Sequence, residues 1–316
     1  MLDIIHALPD QIKGALDLSR HVKIELPKNI VFCGMGGSGI PGSILESLIS
    51  ECKIPLTIIK DYHLPGWVNE HSLVFCCSYS GNTEETINCF REALKKKSQI
   101  VLLTSNGKLT LLAQKTDIKN IVKLPYRLPP RTAIAYFIFP ILIILNDLKL
   151  INISTIEIAN TINSLKKTGF DEKAQELAEQ LKETIPLIYT TKTYEGVALR
   201  WKQMFNENSK IHSFYNTFPE LNHNEIMGYK RTNKDFTIII LSDETEQNMK
   251  KQIELTKELI KQAGNKVMQI NIKGTSKLVK IFTAIYLGDL TSYYLAKLHN
   301  TDPMSTDLID EIKKRL

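Results

Sequence analysis

Two short apolar runs, each ending in a turn of very small residues, limit what this chain can fold into more than any other feature. Asn29-Ile-Val-Phe-Cys runs straight into Gly34-Met-Gly-Gly-Ser-Gly-Ile, and Leu73-Val-Phe-Cys-Cys runs into Ser78-Tyr-Ser-Gly-Asn-Thr83. Each apolar run has the length of a buried strand, and each turn leads into a helical pattern. A strand that passes through small residues into a helix N-terminus aims backbone N–H groups at an anion. Further apolar runs at 55–59, 99–104 and 118–124 alternate with helical stretches. That alternation predicts an α/β fold with a mainly parallel, doubly wound sheet. Ligands bind beyond the carboxyl ends of such strands, where both turns fall.

The two turns differ in chemistry. Gly34, Gly36 and Gly39 satisfy the spacing of a dinucleotide fingerprint, with Asp61 about twenty residues on, so NAD is one reading of the first turn. The second turn is rich in hydroxyls, from Ser78, Ser80 and Thr83. Helix capping would explain one of them but not the cluster. A dinucleotide has no use for a second anion-ready turn, so a compact phosphate ester is the better expectation. The segment Leu128-Pro-Pro-Arg-Thr-Ala then delivers Arg131 to a helix start behind two rigid prolines.

A polar connection over 146–169 marks a domain boundary, giving domains 1–150 and 151–316. The second domain reads as another α/β unit, with strands near 186–190, 236–241 and 267–272, but without the Gly- and Ser-rich turns of the first. Its most unusual stretch lies between Asn206 and Glu225, with three carboxylates, two histidines and five asparagines. Buried polar groups need partners, so core filling does not explain this density, and an active site does. Upstream, Val197, Trp201, Met204 and Phe205 share one helical face, which puts Glu207 near a helix C-terminus. Glu207, Glu220 and Glu225 are its candidate acids, and His212 and His223 its histidines. At the other end of the chain, residues 1–20 have the spacing of a leading amphipathic helix. In the tail, Ser305 or Thr306 caps a final helix whose Leu308, Ile309, Ile312 and Leu316 are expected to pack inward.

Composition excludes several classes. The charge of +6 is spread along the chain, so no nucleic-acid surface is expected, although a mild positive field suits a small anion. The apolar run 133–145 is too short to span a bilayer and contains Pro140, so it reads as a buried helix and no membrane partner is expected. The five cysteines show no C-x-x-C pair or metal-ligand spacing, and a reducing cytoplasm with no metal or cofactor is expected.

With Gly36-Gly-Ser-Gly39, Ser78-Tyr-Ser-Gly-Asn-Thr83 and Pro129-Pro-Arg131, the chain resembles the sugar isomerase (SIS) domain. The segment Asn206-Glu-Asn-Ser-Lys with Pro219-Glu-Leu-Asn-His-Asn-Glu-Ile226 narrows this, over nearly the whole length, to the archaeal-type bifunctional phosphoglucose/phosphomannose isomerases. The resemblance implies two three-layer αβα SIS domains and metal-free interconversion of glucose 6-phosphate and mannose 6-phosphate with fructose 6-phosphate. It implies that Gly37, Ser38, Ser78, Ser80 and Thr83 hold the phosphate, and that Glu207 shuttles the C1/C2 proton. It further implies that Arg131 faces the enediolate oxygens, that His223 and Lys313 open the ring, and that Thr306 lies near C2. Lys314 is the neighbouring alternative to Lys313. A homodimer is implied, with His223 donated across its interface. Two other readings stay open: an isomerase restricted to glucose 6-phosphate, and a sugar-phosphate-sensing SIS module without chemistry.

Overall fold

The computed structural model describes residues 1–231 and 235–315. The chain divides into two compact units, an N-terminal one of Ala7–Ile162 and a C-terminal one of Asn163–Leu316 that also takes Met1–His6. The leading helix is broken into α1 (Leu2–His6) and α2 (Leu8–Ala15). Pro9 is the reason: inside one continuous helix its ring would meet the carbonyl four residues back, whereas in the first turn of α2 its missing N–H costs nothing. α1 belongs with the C-terminal unit through His6, whose Nε2 lies 3.1 Å from Asp171 Oδ1.

The N-terminal unit alternates β1 (Asn29–Gly34), α3 (Gly36–Leu48), β2 (Leu56–Ile59), β3 (Ser72–Cys77), α4 (Glu84–Lys95), β4 (Gln99–Thr104), α5 (Lys108–Lys115), β5 (Ile121–Lys123) and α6 (Ile134–Asp147). All strands are parallel, in the order β2-β1-β3-β4-β5. The chain winds one way from β1 and the other way from β3, so these neighbours flank the crevice where doubly wound sheets bind ligands. Past their first residues, Asn29 and Ser72, β1 and β3 are apolar because helices cover both faces; Cys33, Cys76 and Cys89 belong to the core on one of those faces, and burial pushes the Cys76 thiol well up. α6 carries the apolar run, with Pro140 inside a buried helix.

The C-terminal unit contains α7 (Thr155–Leu165, whose start belongs to the N-terminal unit), α8 (Phe170–Leu181), β6 (Ile185–Thr191), α9 (Glu195–Glu207), β7 (Phe214–Phe218), β8 (Phe236–Ser242), α10 (Gln247–Gln262), β9 (Lys266–Asn271), α11 (Lys277–Leu298) and α12 (Asp307–Arg315). Its sheet is also parallel, ordered β7-β6-β8-β9. β7 was not expected: Asn216 and Thr217 interrupt its apolar pattern, which an edge strand tolerates because one side lacks a neighbour. Among the described residues no helix is long and apolar enough to cross a membrane.

A buried ion pair anchors the end of β8 in this unit. At the end of β8, Lys280 Nζ reaches both Asp243 oxygens at 3.0 and 2.8 Å, and the Tyr194 hydroxyl donates to the same carboxylate. Burial alone would raise that carboxyl, but the bonds from Lys280, Tyr194 and Thr245 outweigh it and hold it at about 2. A carboxyl depressed on folding stabilises the protein above its unfolded value and loses that effect as pH falls toward 2. Asp243→Asn is therefore expected to lower the unfolding free energy by roughly 2 kcal/mol at pH 7 and at pH 5. The gap should narrow by pH 3, as read by urea unfolding; an equal gap at pH 7 and pH 3 would refute the linkage.

Candidate functional site

In the N-terminal unit three separate stretches meet beyond the ends of β1 and β3. Gly37 has to be glycine, because a methyl group there would lie 2.5 Å from the backbone nitrogen of Arg131. The short 3-10 turn Pro130–Thr132 is thereby pressed onto the start of α3, and Arg131 is buried with it, at 2% exposure. Ser38 Oγ accepts a hydrogen bond from the Tyr79 N–H at 2.9 Å, tying the first turn to the second. The Tyr79 hydroxyl donates to Pro125 O at 2.6 Å and accepts from the Leu128 N–H at 2.9 Å, tying the second turn to the arginine segment. Tyr79 fastens all three stretches, and sequence reasoning passed over it because a tyrosine between serines carries no motif.

The hydroxyls of the second turn are held by its own backbone and by one another. Ser78 is fully buried; its oxygen accepts from Gly81 N–H at 3.1 Å and lies 2.9 Å from Thr83 Oγ1. Ser80 is exposed at the mouth and accepts from Asn82 N–H at 3.3 Å. Neither α3 nor α4 is capped at its start by a side chain, so both helices present first-turn N–H groups near these hydroxyls. The second turn depends on Gly81 at φ +68°, where a side chain would also strike Asn106 O.

In the C-terminal unit the candidates separate to two edges of the sheet. α9 leaves the carboxyl end of β6 and runs back along the sheet, so its last residue, Glu207, lies by the amino ends of the strands. Ser213 Oγ, just beyond, donates to Pro186 O at the start of β6. Half-buried Glu207 has Thr306 in its neighbourhood through Lys210, whose ammonium donates to Glu207 O at 2.5 Å and to Ser305 O at 2.7 Å. Lys210 sits in a left-handed turn directly after the helix, at φ +59°, and was not singled out from sequence. His223 follows the carboxyl end of β7 in a short 3-10 turn and is exposed. A strand's length, on the order of 20 Å, separates the two edges.

The other acids of this stretch are engaged. Glu225 takes a hydrogen bond on each oxygen at 2.5 Å, from Tyr189 and from Asn216, fastening the His223 loop to β6 and β7. Burial, then the neighbouring Tyr229 and Glu225, push the Tyr189 hydroxyl well up, so it stays a donor. Exposed Glu220 accepts from Asn224 at 2.7 Å. Lys313 and Lys314 are both exposed on α12, and nothing in that helix distinguishes them. The inward packing expected of α12 is not seen: Leu308, Ile309 and Ile312 are 77%, 41% and 61% exposed, because among the described residues no other element of the unit covers that face. Leu316, expected on the same face, lies outside the described residues. Among the described residues no three His, Cys, Asp or Glu side chains are grouped to hold a metal ion.

α9 itself is held against α11. The Trp201 indole N–H donates to Ala284 O at 2.8 Å, and a methyl at Gly288 would lie 2.3 Å from that nitrogen. Arg200 and Asp289 pair in two parallel bonds of 3.0 and 2.7 Å, with the guanidinium side chain 1% exposed. Next to Glu207, Asn208 Nδ2 donates to Ser292 Oγ at 2.9 Å and Ser209 Oγ to Ser292 O at 2.7 Å.

Comparison with known proteins adds the following. A family model described as the bacterial phospho-glucose isomerase C-terminal SIS domain matches residues 170–316. The bifunctional phosphoglucose/phosphomannose isomerase of Caldicellulosiruptor bescii is 36% identical over 100% of this chain and 98% of its own. The protein of the same name from Thermoplasma acidophilum is 36% identical over 91% of this chain and 89% of its own. Among solved structures, a putative phosphosugar isomerase from Clostridium difficile superposes with a TM-score of 0.72 at 19% identity, covering 98% of this chain and 97% of that one. This likeness is one of fold: two parallel sheets flanked by helices, as the resemblance implied.

Proposed function

The chain belongs to the bifunctional phosphoglucose/phosphomannose isomerase family, and from that membership we propose that it interconverts glucose 6-phosphate and mannose 6-phosphate with fructose 6-phosphate without a metal. The observation that carries the reading is the cluster of Ser38, Ser78, Thr83 and Arg131 tied together beyond β1 and β3. Ser38, Ser78, Ser80 and Thr83 donate to the phosphate together with the helix N–H groups. Gly37 contributes by its lack of a side chain, which admits the Arg131 backbone. Phosphate binding remote from the reacting carbons holds them in place.

His223 and Lys313 exchange protons with the ring oxygen and O1 to open the ring. Glu207 then removes the C2 proton of the aldose; the C–H electrons form the C1=C2 bond and negative charge develops on O1. The Arg131 guanidinium stabilises that charge. A proton passes from O2 to O1, and return of the abstracted proton to C1 then leaves the carbonyl at C2. Thr306, small and near C2, accepts either configuration there, which makes both epimers substrates.

The positions of Glu207 and His223 at opposite edges of one sheet support a homodimer in which His223 comes from a second copy. The exposed apolar face of α12 supports the same reading. Five unpaired cysteines suit a cytoplasmic setting.

Coupled assays test the reaction: fructose 6-phosphate is expected from both glucose 6-phosphate and mannose 6-phosphate, at rates unchanged by EDTA. Formation from glucose 6-phosphate alone would restrict the enzyme to one epimer. Binding of either ester without turnover would reduce it to a sensor.

A further inference from the structure

The C-terminal unit holds a cavity of about 390 Å³ that takes no part in the proposed reaction. It lies where β8 and the edge strand β9 end beneath α9 and α11. β9 alternates its side chains, so Val267 packs with the α10 face while Met268 and Ile270, on the other face, are only half-buried. The helices do not reach far enough to cover this last strand, and the cavity is the uncovered part. Phe170, Leu287 and Ile270 make its walls, with fully buried Trp201 behind them.

Charge at the cavity is one-sided. Lys167 and Lys273 stand exposed at its rim, and no Asp or Glu is among the described residues lining it. Among the described residues neither ammonium forms an ion pair. An apolar chamber of this size with charge of one sign at its rim has the make-up of a small-molecule site. A neutral hydrocarbon would leave the lysines unused, and a hydrophilic anion would leave the walls without a partner. We infer that this cavity binds a free medium-chain carboxylate, its chain against Phe170, Leu287 and Ile270 and its headgroup between Lys167 and Lys273. The inference does not depend on the isomerase reading.

Octanoate is the probe. Trp67→Phe, at an exposed position in the N-terminal unit, leaves Trp201 as the sole tryptophan. In that variant, octanoate is expected to shift Trp201 emission saturably, with a Kd on the order of 0.1–1 mM. Octylamine, with the same chain and opposite charge, should bind at least about tenfold more weakly. Lys167→Glu combined with Lys273→Glu should weaken octanoate by about the same factor and reverse the preference toward octylamine. The inference is overturned if octanoate gives no saturable change, if the two ligands bind alike, or if the charge reversal leaves octanoate affinity unchanged.

Discussion

Glu207→Gln is expected to lower kcat by ~10²–10⁴ while leaving hexose 6-phosphate affinity nearly unchanged, because proton transfer by a positioned carboxylate contributes about that much. The amide is isosteric and keeps the helix end in place, so KM should move little. Solvent exchange of the C2 proton should disappear with turnover, since both steps use the same carboxylate. Retained exchange would move the role to another acid. Glu225 is a poor successor, since Tyr189 and Asn216 already occupy both its oxygens. The same variant tests the two-copy reading. Mixed with inactive His223→Ala and allowed to exchange subunits, it should restore about a quarter of wild-type activity, because half of randomly mixed dimers are hybrids with one intact site each. If His223 instead serves the Glu207 of its own chain, every site in the mixture lacks one of the two groups and activity stays absent.

Asp289→Ala is expected to destabilise the protein by about 3–5 kcal/mol, because it strands the Arg200 guanidinium in the core without its partner. Arg200 is already under-satisfied: its Nη1 is buried without a hydrogen-bond acceptor among the described residues. The pair joins α9 to α11 one residue before Trp201 on α9 and just over a turn beyond Ala284 on α11, and Asn208 repeats the connection beside Glu207. Replacing both members, as Arg200→Met with Asp289→Leu, should recover much of the loss, since no unpaired charge remains. Urea unfolding of the three variants measures both effects. A loss under about 1 kcal/mol for Asp289→Ala would show that water reaches the pair and that it does not lock the helices.

The parts that local chemistry determines were legible in the chain. β1, β3 and their turns could be read because a strand buried on both faces is a continuous apolar run, and the turns need residues without bulk. Glu207 at a helix end followed from the spacing of Val197, Trp201, Met204 and Phe205. β7 was missed because an edge strand is under weak compositional pressure, and Asn216 serves there to hold Glu225. Continuity of the leading helix failed at Pro9, although the signal was present.

Tertiary structure alone decided which groups share a location. Tyr79 and Lys210 matter through hydrogen bonds to residues 46 to 95 positions away, Pro125 and Ser305, and no local pattern encodes such partners. Likewise, Glu207 and His223 are 16 positions apart in one polar stretch, yet the intervening strand carries the chain from one edge of the sheet to the other. Amphipathic spacing made α12 a helix with an apolar face, but periodicity states only that the face exists. What covers it depends on neighbours, and among the described residues none in the unit does so. By itself, the sequence determined the five strands of the N-terminal sheet and the two turns of small residues, because these depend on local sterics and burial. Their grouping depends on how strands pair and helices cross, which is a property of the assembled sheet.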